Sequence, residues 1–187
     1  MYFRQHCHTC GFEWSDFSPL DYAAWMIGEP NNADDIEDCV TFSYSDDNGD
    51  GNWWSDDGCS KYYGYVCEAY FDQFHLAEDP WPTVGGCKNG WTQFGGACYK
   101  LFGSYQSTVE SDIELPFYYA DKYCNTAWPD ATLAIFHNPY YQFFGTSMMD
   151  EQRRNTWIGL LVTSTNGSNS YQTKNIYHNF RSLFSLG

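Results

Sequence analysis

The most informative part of the chain reads EPNNADDIEDC over residues 29–39 and WSDDGC over residues 54–59. Both segments place carboxylates, and the first also carboxamides, just before a cysteine. Oxygen atoms are the ligands that calcium prefers, and a mixture of charged and neutral oxygen donors suits that ion. Such a site can hold the ion while it leaves coordination positions open, and the hydroxyl groups of a sugar are suited to fill them.

The two segments resemble the binding site of the C-type lectin domain in its mannose-type version. In that family the calcium and sugar site consists of a Glu-Pro-Asn triplet, a glutamate eight positions after the first, and a Trp-Asn-Asp triplet five residues before a cysteine. The matching positions in this chain are Glu29, Asn31, Glu37 and Asp56. The resemblance implies that these four residues are both the metal ligands for Ca2+ and the carbohydrate-binding residues. Sugar would then not bind without metal.

Ser55 departs from this pattern, because the family has an asparagine at its position. One calcium ligand would then be absent, or Asp57 or water would supply it. The order of Glu29 before Asn31 implies equatorial vicinal hydroxyls, as in mannose, N-acetylglucosamine and fucose, rather than galactose. The family also implies a cis peptide bond before Pro30, an isomer that X-Pro bonds reach at low cost.

Composition agrees with an extracellular binding domain. The 187 residues are 20% aromatic, which favours strands over a helical bundle. A net charge of −15 argues against nucleic acid as a partner, and it is explained equally by a cation binder or by a solvated acidic surface. Eight cysteines indicate disulfides in an oxidising compartment, in a secreted protein or a receptor ectodomain.

The ends of the sequence indicate a fragment. No apolar run approaches the roughly 20 residues that span a bilayer, so we expect no membrane insertion by this segment. Residues 1–10 lack the apolar core of a secretion signal. Because that conflicts with the predicted disulfides, the simplest hypothesis is a piece of a longer extracellular protein.

The resemblance covers two halves in reversed order. Residues 12–68 resemble the C-terminal half of a lectin domain, residues 69–86 read as a linker rich in proline and glycine, and residues 87–162 resemble the N-terminal half. Residues 1–11 and 163–187 stay unassigned. The implied fold is α+β and C-type lectin-like, with two helices packed on small antiparallel sheets and a long loop region.

Two accounts explain this order. The chain is either cut from a tandem, mannose-receptor-like array of lectin domains, or its halves combine into one composite, circularly permuted domain, which close termini permit. The family implies three disulfides, which are Cys39 with Cys59, Cys67 with Cys124 and Cys87 with Cys98. All three pairs form only in the composite domain, which we therefore expect as the folded object.

Local patterns predict the two helices. Pro116 suits a first helical turn, and Phe117, Ala120 and Cys124 follow at helical spacing. Asn138 and Pro139 predict the cap and first position of a second helix, whose aromatic residues we expect in the core: Tyr140, Phe143 and Phe144. The family implies a packing role, not a binding role, for residues 157–160.

Several weaker motifs compete with this interpretation. Cys7 and Cys10, flanked by histidines, form at most half of a zinc site, and a local disulfide or unstructured thiols are the alternatives. An EF-hand-like loop matches at Asp46, Asn48, Asp50, Gly51 and Asp57, but the flanking residues read as strands. An auxiliary calcium site would use Asn32, Glu37 and Asp38. Residues 166–168 match a glycosylation acceptor.

Three function classes follow. Calcium-dependent binding of glycans or glycoproteins is the leading hypothesis, with further lectin domains expected in a longer parent chain. The alternative is a calcium-independent protein-recognition module with a degenerate site. An enzyme is the least favoured class, because the sequence contains no catalytic triad order, zinc-protease helix or glycine-rich phosphate loop.

Overall fold

A computed structural model describes residues 11–45, 51–70, 83–84, 86–103, 113–149 and 155–162. The strands are β1 (Phe12–Trp14), β2 (Glu37–Ser45), β3 (Gly51–Gly58), β4 (Gly64–Tyr70), β5 (Thr83–Val84), β6 (Cys87–Lys88), β7 (Thr92–Phe94), β8 (Ala97–Phe102), β9 (Thr132–Leu133) and β10 (Thr156–Val162). The helices are α1 (Phe117–Ala127) and α2 (Pro139–Met148), and a 3₁₀ turn covers Ala33–Asp35. The predicted α+β class with two helices is confirmed.

Most strands join in a single eight-stranded sheet instead of several small ones. The order is β3-β2-β10-β4-β8-β7, with β1 paired to β10 and β9 paired to β4. Strand β10 is antiparallel to β2 and parallel to β4, so residues 156–162 lie between two strands of the earlier segment. Strand β4 in turn pairs with β8 over six residue pairs. The two lectin-like segments therefore share one sheet.

Three disulfides connect the described cysteines, in the pairs that the resemblance implies: Cys39–Cys59, Cys67–Cys124 and Cys87–Cys98. The Cα atoms of Cys67 and Cys124 are 5.3 Å apart, within the range of a normal bridge. This disulfide joins β4 of the earlier segment to α1 of the later one. Cys7 and Cys10 lie outside the described residues.

Helix α1 has the predicted buried face. It begins at Phe117, directly after Pro116, and it buries Phe117, Ala120 and Cys124 against the sheet. Asp121 on the same face accepts a hydrogen bond from the backbone N–H of Leu133 at 3.2 Å. The helix is thereby fixed to β9 by a polar contact as well as by apolar packing.

Helix α2 begins as predicted but turns a different face inward. The Asn138 side chain caps it by accepting hydrogen bonds from the backbone N–H groups of Tyr140 and Tyr141. The prediction that Tyr140 and Phe143 are core residues is wrong, because they are 79% and 76% exposed. The buried positions are Gln142 and Gly145, where an added Cβ would lie 2.6 Å from the Phe136 ring.

Phe144, the third aromatic residue expected in the core, is partly buried. Its ring stacks on Phe94 with the centroids 4.2 Å apart, and it packs at the edge of the core. The helical period of the sequence alone could not show which face of α2 is buried, because both faces carry large or polar side chains. The close approach of Phe136 to the helix decides which face is buried.

Residues 157–160 are packing elements, as expected. Trp157, Ile158 and Leu160 have no exposed surface. Gly159 donates its N–H to Ala134 at 2.9 Å, and a Cβ there would lie 2.7 Å from the Leu133 carbonyl oxygen. The glycine therefore allows β10 to approach the chain at residues 133–134 closely.

The EF-hand interpretation is wrong for this chain. Strands β2 and β3, paired antiparallel from Glu37–Gly58 to Ser45–Gly51, flank the loop where an EF-hand requires helices. Residues 46–50 lie outside the described residues, as do the possible glycosylation site at 166–168 and the tail 163–187. Neither helix of the described segments has the length and hydropathy that crossing a membrane requires.

Candidate functional site

The candidate site is built on β3 and on the loop that leads to β2. Trp54 of β3 donates its backbone N–H to Ala24, and its carbonyl accepts from Met26, each at 2.8 Å. The loop then leaves β3 and returns where Glu37 pairs with Gly58. Both ends of the loop from Met26 to Glu37 are thus attached to the same short stretch of strand.

Asp56 holds the middle of this loop. Its side chain is 2% exposed, and its two carboxylate oxygens accept the backbone N–H groups of Asn31 at 2.9 Å and Asn32 at 2.8 Å. Hydrogen bonds to an ionised group are stronger than those between neutral groups. Asp56 therefore fixes the Glu29-Pro30-Asn31 segment against β3.

Glu29 and Asn31 form a compact pair above Asp56. The Asn31 amide nitrogen donates to both carboxylate oxygens of Glu29, at 2.8 Å and 2.9 Å. The peptide bond between Glu29 and Pro30 is cis, the isomer expected. Both side chains remain accessible to solvent, so their oxygen atoms can reach a bound partner.

Glu37 closes the far side of the loop. One of its carboxylate oxygens accepts the backbone N–H of Ala33 at 2.8 Å, and its own N–H donates to the Asn32 side chain at 3.2 Å. Asn32 also donates to Asp35 at 3.3 Å. The Asn32 side-chain oxygen, which the family's auxiliary calcium site would use, thus accepts a hydrogen bond from the protein.

Burial and neighbouring carboxylates raise the pKa values of Glu29 and Glu37. The pKa of Glu29 rises to about 7, because the group is partly desolvated and lies in hydrogen-bonding and electrostatic contact with Asp56. Burial also raises the pKa of Glu37, with smaller contributions from the charges of Asp56 and Asp57. The site therefore concentrates negative charge that a cation would neutralise.

Asp57, one candidate source of the ligand lost at Ser55, has protein partners at both carboxylate oxygens. One of its carboxylate oxygens accepts from the Tyr63 hydroxyl at 2.7 Å, and the other accepts from the Gly58 N–H at 2.8 Å and forms an ion pair with Lys61. Ser55 itself donates its hydroxyl to the Asp56 carbonyl at 3.2 Å.

The donor set of the site fits a hard cation. It combines carboxylates with an amide side chain, the oxygen ligands of calcium. Within the described part of the chain, no three acidic, histidine or cysteine side chains already converge as a cage for a metal ion. Glu29, Glu37 and Asp56 therefore do not form such a group in this structure, and the amide oxygen of Asn31 is a further candidate ligand.

Sequence reasoning missed one residue at the base of the site. The indole N–H of Trp54 donates to the side-chain oxygen of Gln142 at 2.8 Å, in a buried hydrogen bond across 88 residues of sequence. Gln142 lies on α2, far from the motif. No feature of the sequence marks it, because a single glutamine in a helix has many ordinary surface roles.

Comparison with known proteins identifies the fold. Residues 4–69 match the family model described as Lectin C-type domain, and this range contains the whole loop and β3. The fold is that of a C-type lectin domain. Its two helices, mixed sheet and three disulfides agree with that family.

Curated proteins similar to this chain include two receptors. C-type mannose receptor 2 of Rattus norvegicus is 25% identical over 151 residues, which cover 80% of this chain and 9% of the receptor. Secretory phospholipase A2 receptor of Pongo abelii is 30% identical over 155 residues, with 80% and 10% covered. A C-type lectin mannose-binding isoform of Notechis scutatus scutatus is 35% identical over 65 residues, which cover 31% of this chain and 35% of the relative.

The chain thus spans about a tenth of the length of the two receptors. No solved structure matches the chain. With three disulfides among its described residues, the chain is an extracellular domain, because such bridges form and persist in oxidising compartments.

Proposed function

We propose that the domain binds mannose, N-acetylglucosamine or fucose residues of glycans or glycoproteins in a calcium-dependent manner. The observation that carries the proposal is the clasp of Asp56 on the backbone N–H groups of Asn31 and Asn32. It brings together two sequence segments that the resemblance assigns to one site. The Glu29–Asn31 side-chain pair then lies next to Asp56, with both side chains accessible.

Each residue has a distinct part in this proposal. Glu29, Asn31, Glu37 and Asp56 would hold Ca2+, which supplies a positive charge able to coordinate sugar hydroxyls. The Glu29 carboxylate accepts a hydrogen bond from a hydroxyl, and the Asn31 amide donates one. An acceptor and a donor side by side suit two neighbouring hydroxyl groups. A single site of this kind is small and open, so useful avidity requires repeated domains.

Protein recognition by a degenerate lectin site is the second candidate. Ser55 directs its hydroxyl to the Asp56 carbonyl and offers no amide to a sugar. One relative is named as a receptor for a secretory phospholipase A2, which is a protein. Both observations fit a fold that keeps its loop but binds a protein surface without calcium. No enzymatic activity is proposed, since the relatives are named as receptors and lectins.

The variant Asp56→Asn tests the leading proposal. It removes the negative charge and one of the two strong acceptors that hold the loop, so we expect loss of calcium binding and of retention on mannose resin. The measurements are calcium calorimetry on oxidised protein and elution of the resin by a chelator. Asp130→Asn, at an exposed acid after α1, is the matched control and should behave as the wild type.

The outcomes separate the two candidates. Calcium-dependent sugar binding is supported if the wild type is retained on the resin and released by a chelator, whereas Asp56→Asn is not retained. A wild type that gives no heat with millimolar calcium and is not retained contradicts it. Retention of a protein ligand in the presence of chelator would then favour the degenerate site.

We also propose that residues 12–68 and 87–162 fold as one composite domain with its halves in permuted order. The shared sheet and the contact of Glu68 with Tyr99 and Ile135 support this. The origin in a tandem array has separate support. An alignment that covers 80% of the chain must extend across both segments in their present order, since residues 12–68 are less than a third of it.

Mass spectrometry under non-reducing conditions tests the composite domain. In a monomeric, oxidised preparation we expect one peptide pair joined through Cys67 and Cys124. Free thiols at both positions, or a bridge only between two chains, would contradict the composite domain and leave two unpaired halves. In a longer parent protein, neighbouring lectin domains would supply the repeated sites.

A further inference from the structure

Trp54 connects the candidate site to the second segment of the chain. Its side chain is fully buried and makes edge-on contacts with Trp14, Tyr22 and Trp25. Its indole N–H donates to Gln142 at 2.8 Å, and Gln142 is itself only 9% exposed. A buried donor that loses its partner costs free energy, so this bond fixes the orientation of the indole ring.

The backbone of Trp54 also holds the start of the ligand loop, which runs from Met26 to Glu37. Trp54 bonds to Ala24 and Met26, at 2.8 Å in each case. Two residues later Asp56 holds Asn31 and Asn32. A rotation of the Trp54 side chain would therefore shift β3, the strand that holds the start of the loop through Trp54 and its middle through Asp56.

We propose that Gln142 is a positioning residue for the calcium and carbohydrate site, acting through Trp54. The inference rests on the proposed function for its ligands, although the geometry of the clasp is independent of them. It assigns to helix α2, in the later segment, a part in a site whose ligands all lie in the earlier one. Residues 12–68 alone would then contain all the proposed ligands but would lack Gln142, which positions them.

The variant Gln142→Met tests this role. Methionine keeps the length of the side chain but offers no comparable acceptor, so the buried indole N–H is left without its oxygen partner. We expect calcium affinity, measured by calorimetry on the full oxidised chain, to weaken roughly threefold to tenfold. Gln142→Asn, which is shorter by one methylene, gives a second variant with an effect in the same direction.

Tyr99→Phe is the matched control. It removes a buried hydrogen bond of similar kind, from the Tyr99 hydroxyl to Glu68 at 2.7 Å, which does not involve the ligand loop. We expect it to lower stability toward urea and to leave calcium affinity unchanged. A second measurement needs no calcium: amide hydrogen exchange at Asn31 and Asn32, whose N–H groups the clasp protects, should accelerate in the Gln142 variants and not in Tyr99→Phe.

The combined results distinguish the positioning role of Gln142 from the proposed binding of calcium. If the Gln142 variants lose stability as Tyr99→Phe does, while calcium affinity and exchange at Asn31 and Asn32 match the wild type, Gln142 is merely structural and the inference is wrong. If the wild type gives no calcium heat but exchange accelerates in the Gln142 variants, the positioning role holds and the metal proposal fails.

Discussion

Glu68 is a buried carboxyl group at the junction of the two segments, and its removal should change how stability depends on pH. The side chain is 4% exposed. It accepts hydrogen bonds from the Tyr99 hydroxyl at 2.7 Å and from the Ile135 N–H at 2.8 Å. Burial raises its pKa from 4.5 to about 7, although both hydrogen bonds oppose the shift.

The sign of the effect follows from this raised pKa. The folded state binds the proton more tightly than the unfolded state, so the contribution of Glu68 to stability is complete below pH 4.5 and is lost as the pH rises through about 7. At 1.36 kcal/mol for each pH unit, the loss amounts to about 3 kcal/mol. Acidification therefore strengthens this junction.

The variant Glu68→Gln removes the titration and keeps the shape of the side chain. Its amide oxygen can accept one of the two hydrogen bonds, and its NH₂ group can donate to the Tyr99 hydroxyl. Urea denaturation of both proteins from pH 4 to pH 8, with disulfides intact and chelator present, gives the two free energies of unfolding. The difference between them should change by about 3 kcal/mol in favour of the variant as the pH rises.

The comparison isolates Glu68, because every other ionisable group is the same in the two proteins. A difference that stays constant across the pH range would show that folding does not change the pKa of Glu68 and would refute the reasoning. A difference that changes in the opposite direction would show that its hydrogen bonds outweigh its burial.

Three further changes have defined consequences for the free energy of unfolding in urea. Gly159→Ala forces a Cβ against the Leu133 carbonyl and should cost about 1–3 kcal/mol, and a neutral result would contradict the close strand contact. Replacing Cys67 and Cys124 together by serine opens a loop of 57 residues and should cost about 4 kcal/mol, with loss of that cross-linked peptide as the check. Asn138→Ala removes the cap of α2 and should cost about 1 kcal/mol, whereas Asn125→Ala, at an exposed position, should cost less.

Local features were predictable because they depend on neighbours in the sequence. The cap at Asn138 and the buried face of α1 follow from residue type and helical period. The strands that flank residues 46–50 were indicated by their composition, and they outweigh the EF-hand spacing because an EF-hand needs helices. The choice of buried face in α2 was wrong, because it depends on Phe136, which reaches Gly145 only in the folded domain.

In the candidate site, too, some features were predictable from the sequence and others depend on the tertiary structure. The resemblance of the Glu-Pro-Asn and Trp-Ser-Asp segments to the family motif predicts Glu29, Asn31, Glu37 and Asp56 as the site residues, and the structure places the first two beside Asp56. Asp57, which the sequence offers as one substitute for the ligand lost at Ser55, accepts a hydrogen bond and forms an ion pair within the protein. Its partners Tyr63 and Lys61 follow it closely in sequence, but their approach depends on the turn between β3 and β4.

The sequence by itself determined the residue types that can bind a cation and a sugar, the cysteines available for bridges, and the starts of the two helices. Tertiary structure decided which groups meet across the chain: Trp54 with Gln142, and Glu68 with Tyr99 and Ile135. The reason is physical. A hydrogen bond between neighbours depends on local backbone angles, whereas a bond across 88 residues exists only after the shared core has packed and excluded water from both groups.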